Sequence, residues 1–196
     1  MRLTPKAILD FDIECRPLSW YGGDFVTKEI TSIAWAWITK RPKVEVVLLT
    51  QENTVADLLE VFLPVIRSAD VVTGHFIRGF DLPLIQGACV ETEMQLLGPT
   101  MSQDTKLDLM TFQGLSKSQE NLGALLGLRN PKVGMNQATW REANRLTPEG
   151  ITLTRDRVTG DVRQHIEMRQ RMLDLGILGP PKLWTPGGAA EEVYVA

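Results

Sequence analysis

Hydrophobic and polar positions in the first fifty residues follow the spacing of strands. Residues 7–13 (AILDFDI) are a short apolar run with acidic residues at alternate positions, which predicts a buried strand. Residues 30–38 and 43–50 are rich in branched and aromatic side chains, and residues 40–42 (KRP) between them are typical of a turn. These two segments are therefore predicted to form a β-hairpin.

Helical spacing of apolar residues dominates the rest of the chain, with one more strand predicted at 70–73. Helices are predicted over residues 54–68, 81–97, 118–126, 140–145 and 160–175. Strands followed by alternating helix and strand predict an α/β fold, a mixed sheet flanked by helices. The Pro- and Gly-rich sequence from Gly179 onward predicts a C-terminal tail, residues 179–196, after one domain of residues 1–178.

Two carboxylates lie at the carboxyl end of the first predicted strand. Asp12 and Glu14 are two residues apart, so both side chains should project from the same face. Two like charges in such proximity are costly unless a cation neutralises them, and carboxylate oxygens suit Mg²⁺ or Mn²⁺ rather than zinc or copper. An ordinary solvated strand end is the alternative. Asp10 shares the face and is a spare carboxylate.

Two further aspartates are each predicted to begin a helix. Asp81 follows the segment GHFIRGF and precedes Leu82 and Pro83, while Asp161 lies within VTGDV. A carboxylate at a helix start is favoured by capping and by the helix dipole. Taken singly, neither aspartate indicates more than that.

The order and spacing of the three acidic segments are more informative than any one of them. FDIE at 11–14, GFDLP at 79–83 and GDV at 160–162 resemble the three motifs of the DEDD (DnaQ-like) 3′-5′ exonuclease superfamily. The likeness is greatest to proofreading domains of family-B DNA polymerases and to stand-alone phage or bacterial relatives. ENLGALLGL at 120–128 is similar to the Leu-rich helix between the second and third motifs. The resemblance covers residues 7–175 and implies a ribonuclease-H-like fold.

The resemblance also implies an activity and a role for each acidic residue. Asp12 would bridge two Mg²⁺ or Mn²⁺ ions, Glu14 and Asp161 would hold the first, and Asp81 would help hold the second. Two ions about 3.5–4 Å apart clamp an in-line displacement at phosphorus. The implied reaction is hydrolysis at the 3′ end of DNA, single-stranded or frayed, with release of nucleoside monophosphates. Exoribonuclease trimming of RNA 3′ ends remains an alternative.

Two positions depart from the family pattern. Where the second motif carries Asn, this sequence has Phe76. Where relatives have Tyr four residues before the last Asp, or His five before it, this sequence has Arg157 and Asp156. Neither residue is the usual group that orients the attacking water. A nuclease-fold accessory protein of replication, binding DNA or a DNA polymerase without cutting, is therefore a second alternative.

Two interpretations of water activation stay open for an active enzyme. The metal ions alone can activate the water, because a bound metal lowers its pKa. Alternatively His165, one helical turn after Asp161, is the catalytic base or a partner that orients the Asp161 carboxylate. We expect the second of these roles for His165, because helical side chains lean toward the N-terminus.

Several residues near the motifs are candidates for contact with the substrate. Trp20 and Tyr21 could stack on a terminal base, and packing against the hairpin is equally open for them. His75 is either a substrate contact or a packed histidine. The full candidate set is Cys15, Trp20, Tyr21, His75, Phe80 and Arg157.

Composition places limits on these expectations. The chain has 196 residues, 43% of them hydrophobic, and a formal net charge of −3. That charge argues against binding of nucleic acid by bulk positive charge, although an acidic site can recruit cations that contact phosphate. The two cysteines, Cys15 and Cys89, form no CxxC pair, which argues against zinc or a disulfide framework. We expect a cytoplasmic protein without a signal peptide or membrane span.

Overall fold

A computed structural model of the chain describes residues 7–18, 26–130 and 133–187. Strands and helices alternate along it after an initial hairpin. The elements are β1 (Ile8–Pro17), β2 (Lys28–Trp37), β3 (Glu45–Leu48), α1 (Val55–Arg67), β4 (Val71–Gly74), α2 (Asp81–Glu91), β5 (Thr100–Asp104), a 3-10 turn (Leu107–Leu109), α3 (Gln119–Leu125), α4 (Gln137–Ala143), α5 (Pro148–Asp174) and β6 (Lys182–Trp184). No helix in these described ranges is long and apolar enough to span a bilayer.

The strands form one mixed sheet in the order β3-β2-β1-β4-β5-β6. β1 pairs antiparallel with β2 and β2 antiparallel with β3, which confirms the predicted hairpin. β4 and β5 add parallel to β1, and β6 closes the edge antiparallel to β5. This mixed α/β architecture with flanking helices is consistent with a ribonuclease-H-like arrangement.

The central strand β1 serves two different faces of the sheet. Leu9, Phe11 and Ile13 join the main hydrophobic core, which also contains the buried side of α1. The alternate residues Asp10 and Asp12 point to the opposite face, because side chains alternate along a strand. The alternation of side chains along β1 thus places its apolar residues on one face of the sheet and its carboxylates on the other.

Helix α5 covers the face that carries the carboxylates. Ala34 and Ala36 of β2 pack against Val158 and Val162 of α5, and all four are buried. Small alanines on the sheet let the helix backbone approach closely. α5 also packs on β1 and β3, so it lies over the antiparallel half of the sheet.

Three helices differ in their bounds from the sequence-based prediction; α4 spans Gln137–Ala143 rather than residues 140–145. α5 begins at Pro148, capped by Thr147, rather than near residue 160, so Asp161 lies within the helix and not at its start. The weak helix formers in residues 148–159 explain the error. α2 ends at Glu91 rather than 97, and Glu93 adopts a left-handed φ of 55° that a continuing helix does not allow.

Two strands were not predicted. β5 has the polar sequence TMSQD, which lacks the alternation of a half-buried strand. β6 lies in the segment expected to be a tail, where Trp184 is only 6% exposed and joins the main core. The prediction of a tail is therefore wrong for residues 182–184. The proposed division into domain and tail otherwise stays a prediction.

Candidate metal centre between β1 and α5

Three carboxylates from two elements converge on the face covered by α5. Asp12 and Glu14 project from β1, and Asp161 projects toward them from α5. One oxygen of each lies within 4.8 Å of the others. Asp161 is 2% exposed, whereas Asp12 and Glu14 are partly exposed, so the cluster opens toward solvent on the strand side.

A β-bulge lies beside this cluster. Across the Glu14–Cys15 step of β1, strand β2 advances by two residues, from Ser32 to Ile30, and leaves Thr31 as the extra residue. Such bulges locally increase strand twist and re-aim side chains, and they occur often beside active sites.

Arg157 reaches the same cluster from one helical turn before Asp161. Its Nε atom donates a hydrogen bond to Oε1 of Glu14 at 3.2 Å and lies 3.1 Å from Oδ2 of Asp161. Its Nη1 atom donates to the carbonyl oxygen of Val133. Arg157 thus neutralises part of the negative charge of the cluster.

Asp81, at the first turn of α2, lies next to the cluster rather than within it. Its Oδ1 atom accepts a hydrogen bond from the backbone N–H of Ile13 at 3.1 Å, between the two acidic residues of β1. Burial raises the pKa of Asp81 to about 8; the negative charges of Asp104 and Glu14 also raise it, whereas the backbone hydrogen bonds oppose the shift. A cation nearby would favour the ionised form.

The turn before Asp81 is held by a second buried carboxylate. Asp104, at the end of β5, accepts hydrogen bonds from the backbone N–H groups of Phe76 and Arg78 at 3.0 and 2.9 Å. Phe76 has a left-handed φ of 73°, a conformation that is uncommon for a residue other than glycine. The backbone N–H groups of Lys106 and Leu107 donate to the same carboxylate, so Asp104 accepts hydrogen bonds from these four backbone donors.

His165 is buried inside the protein and His75 is half-buried, and both side chains are held by hydrogen bonds. His165 is 2% exposed and pairs through Nδ1 with Asp10 at 2.6 Å and through Nε2 with the Thr105 hydroxyl at 2.9 Å. The same hydroxyl lies 3.0 Å from Nδ1 of His75, whose Nε2 donates to the carbonyl of Lys117. The expected contact between His165 and the Asp161 carboxylate is replaced by the pair with Asp10. These contacts favour structural roles for both histidines.

Of the other residues predicted to contact the substrate, the structure describes Cys15 and Phe80. Cys15 is partly buried, and desolvation raises the pKa of its thiol, which does not favour a nucleophile. The ring of Phe80 lies 4.9 Å below the ammonium group of Lys28. Trp20 and Tyr21 lie outside the described residues.

A cavity of about 390 Å³ opens beside Arg157. Glu120, Asn136 and Trp140 line it, and Trp140 offers an aromatic face near the carboxylate cluster. Sequence reasoning missed this cavity, because its walls come from segments between the second and third motifs that carry no acidic pattern. Thr105 and Asp104 were missed because strand β5 was not recognised.

Comparison with known proteins supports the fold. No known protein family and no curated protein matches the sequence. Among solved structures, the chain is similar to the family B DNA polymerase from the hyperthermophilic archaeon Pyrobaculum calidifontis, with a TM-score of 0.66 and 16% sequence identity. The match covers 87% of this chain and 25% of the polymerase chain, so this chain corresponds to about a quarter of that protein. At this identity the likeness shows a shared fold.

Proposed function

We propose that the protein is a metal-dependent 3′-5′ exonuclease acting on DNA. The observation that carries the proposal is the convergence of Asp12, Glu14 and Asp161 from β1 and α5. The order of the acidic motifs and the fold shared with part of a family B DNA polymerase support it.

The donor set fits a hard divalent cation. Six oxygens at about 2.1 Å around Mg²⁺ lie roughly 3.0–4.2 Å from one another, and the three carboxylate oxygens lie within 4.8 Å. Small side-chain rotations would therefore complete the geometry. Glu14 and Asp161 would hold one ion, Asp12 would bridge, and Asp81 would take part in holding a second. When bound, such ions stabilise the charge that develops on the attacking and leaving oxygens.

The residues of the chain have clear tasks in such a site. Asp12 and Glu14 are fixed by the backbone pairing of β1 with β2, which sets their spacing. The hydrogen bond from Ile13 to Asp81 ties α2 to the same point of β1. Trp140, in the adjacent cavity, is positioned to stack on a base, an interaction typically worth about 1–3 kcal/mol.

A direct assay tests the proposal. The purified protein is incubated with 5′-labelled single-stranded DNA and Mn²⁺ or Mg²⁺, with EDTA and a 3′-blocked strand as controls. We expect a ladder that shortens from the 3′ end, lost with EDTA, and matching RNA as a poorer substrate. A preference for RNA would point to the exoribonuclease alternative.

Asp12→Asn is the decisive variant, and Asp156→Asn is its matched control. Both remove one carboxylate, but Asp156 lies exposed on α5 outside the cluster. Asp12→Asn should lose at least 10²-fold of the rate and Asp156→Asn less than threefold, since a metal ligand supplies several kcal/mol of transition-state stabilisation. Equal activity of Asp12→Asn and Asp156→Asn would contradict the proposed metal site.

One observation favours a second function. Arg157 already pairs with Glu14 and Asp161, as expected for a nuclease fold that has exchanged catalysis for binding. Such an accessory protein would bind DNA equally well with Mn²⁺ and with EDTA, and would cut under neither condition. Electrophoretic mobility shifts under both conditions separate the two functions.

A further inference from the structure

The Nε atom of Arg157 occupies a position between two metal-ligand candidates. It lies 3.2 Å from Oε1 of Glu14 and 3.1 Å from Oδ2 of Asp161, nearly equidistant from the two oxygens. The Arg157 side chain is 12% exposed and that of Asp161 is 2% exposed, so solvent screens the contact poorly. One fixed positive charge therefore bridges a carboxylate of β1 and a carboxylate of α5.

A guanidinium carries a fixed positive charge, so the bridge brings that charge to the cluster whenever no metal ion has displaced it. Like-charged carboxylates in one cluster repel, and Arg157 relieves part of that repulsion between Glu14 and Asp161. The folded chain therefore supplies a cation of its own at two oxygens that a metal ion would need.

We infer that Arg157 is a resident counter-cation that a divalent metal must displace before Glu14 and Asp161 can hold it. The inference rests on the proposed metal-dependent function and adds a control step to it. A metal ion that binds the same two oxygens meets the charge of the guanidinium, and like charges within a few ångströms repel strongly in a poorly screened site. The metal-free protein is thereby stabilised and metal binding is weakened.

The surroundings leave room for the displaced side chain. Arg157 forms part of the wall of the cavity of about 390 Å³ that Glu120 also lines. A guanidinium that leaves Glu14 and Asp161 can turn into this space, where Glu120 offers a carboxylate. Loading of the site is then a movement of one side chain on a rigid helix.

Metal binding without nucleic acid tests the inference. Isothermal titration calorimetry of the full chain with Mn²⁺ compares the unaltered protein with Arg157→Gln and with Arg155→Gln. Arg155 is exposed on the same helix, so its variant removes one positive charge without touching the bridge. We expect Mn²⁺ to bind Arg157→Gln at least tenfold more tightly than the unaltered protein, and Arg155→Gln to change affinity less than threefold.

Thermal unfolding gives a second readout. Without metal, Arg157→Gln should melt at a lower temperature than Arg155→Gln, and saturating Mn²⁺ should remove the difference. If Arg157→Gln fails to fold even with Mn²⁺, Arg157→Met replaces it; this variant keeps an unbranched side chain, removes the positive charge, and should also bind Mn²⁺ more tightly than the unaltered protein. Unchanged or weaker Mn²⁺ affinity in the variant measured overturns the inference.

Failure of the inference is distinct from failure of the proposed function. Tighter Mn²⁺ binding by Arg157→Gln without any cleavage of DNA by either protein would leave the inference standing and refute the exonuclease. Metal-dependent cleavage of DNA, together with equal Mn²⁺ affinities of the unaltered protein and Arg157→Gln, would support the exonuclease and refute the inference. Absence of Mn²⁺ binding in both proteins would refute both.

Discussion

Nδ1 of His165 lies 2.6 Å from Oδ2 of Asp10, and this buried pair joins helix α5 to the central strand. Asp10 is fully buried, and His165 is 2% exposed. Burial raises the pKa of the Asp10 carboxyl, against the opposing effects of the charge and hydrogen bond of His165 and of the charge of Arg169. The pair lies two residues along β1 from Asp12 and one helical turn from Asp161. It therefore fixes the two elements that carry the candidate metal ligands.

Replacement of His165 by Ala should cost stability more than chemistry. The change leaves Asp10 buried without its partner, and breaking a buried pair typically costs about 3–5 kcal/mol. Urea unfolding should show a loss of this size in the free energy of unfolding. In the part of the variant that remains folded, the rate at saturating Mn²⁺ should change only a few-fold. A rate lowered by about 10³-fold with unchanged stability would instead identify His165 as a catalytic base.

The hydrogen-bond chain through both histidines constrains its protons. Nε2 of His75 must donate, because the carbonyl of Lys117 only accepts. The Thr105 hydroxyl has one proton for two imidazole nitrogens and the carbonyl oxygen of Gly74, so at least one of the two rings must donate to it. If Asp10 is ionised and both imidazoles are neutral, the chain from Asp10 through His165 and Thr105 to His75 has one proton too few to form all of its hydrogen bonds. Imidazole ¹⁵N NMR should therefore detect either an imidazolium or a proton shared between Asp10 and His165; two ordinary neutral rings beside an ionised Asp10 would contradict the chain.

Stability without metal should fall with rising pH because of Asp81. The folded protein keeps a proton on this carboxyl between its ordinary pKa of 3.8 and its raised pKa of about 8, whereas the unfolded chain has released it. The stabilisation is thus present below the lower value and is lost as pH rises through this window. Asp81→Asn should have a higher melting temperature than the unaltered protein at pH 8 and a similar one at pH 4. Asp156→Asn, which removes an exposed carboxylate, should show no such divergence.

Gly74, at the end of β4, should not tolerate a side chain. A Cβ there would lie 2.3 Å from Cγ2 of Ile77 and 2.7 Å from the carbonyl oxygen of Phe11, and the second atom belongs to the rigid centre of the sheet. Overpacking of this kind typically costs about 1–3 kcal/mol. Gly87→Ala is the control, since a Cβ at Gly87 in α2 meets nothing within 4 Å and should stabilise the helix by up to about 1 kcal/mol. Equal melting temperatures of the two variants would contradict the packing around Gly74.

Trp184 should prove part of the domain core. Its side chain is 6% exposed, and truncation of a buried Trp to Ala typically costs about 3–5 kcal/mol. Leu175→Ala is a suitable control, because Leu175 is 59% exposed. Chemical denaturation should separate the two variants by at least about 2 kcal/mol. A loss below about 0.5 kcal/mol for Trp184→Ala would mean that β6 contributes little to the fold.

The sequence by itself determined the features that depend on near neighbours. The two-residue period of a strand places Asp12 and Glu14 on one face whatever surrounds them, and the structure confirms that they meet. Helix α3 begins where the sequence predicts, and its cap, Ser118, accepts a hydrogen bond from the backbone N–H of Asn121, only three residues away. The hairpin of β2 and β3 follows from the turn between two apolar runs.

Only the tertiary structure decided the features that join distant parts of the chain. Strand β5 is polar because its side chains are satisfied from elsewhere: Gln103 accepts hydrogen bonds from Arg169, and Asp104 binds backbone donors of the turn before α2. The contact of Arg157 with Glu14 spans 143 positions in the sequence. No local period encodes such a partner, since the meeting of two side chains depends on how the helix is laid across the sheet. The sequence thus specified which acidic residues could form a site, and the packing of α5 on β1 decided that an arginine would share it with them.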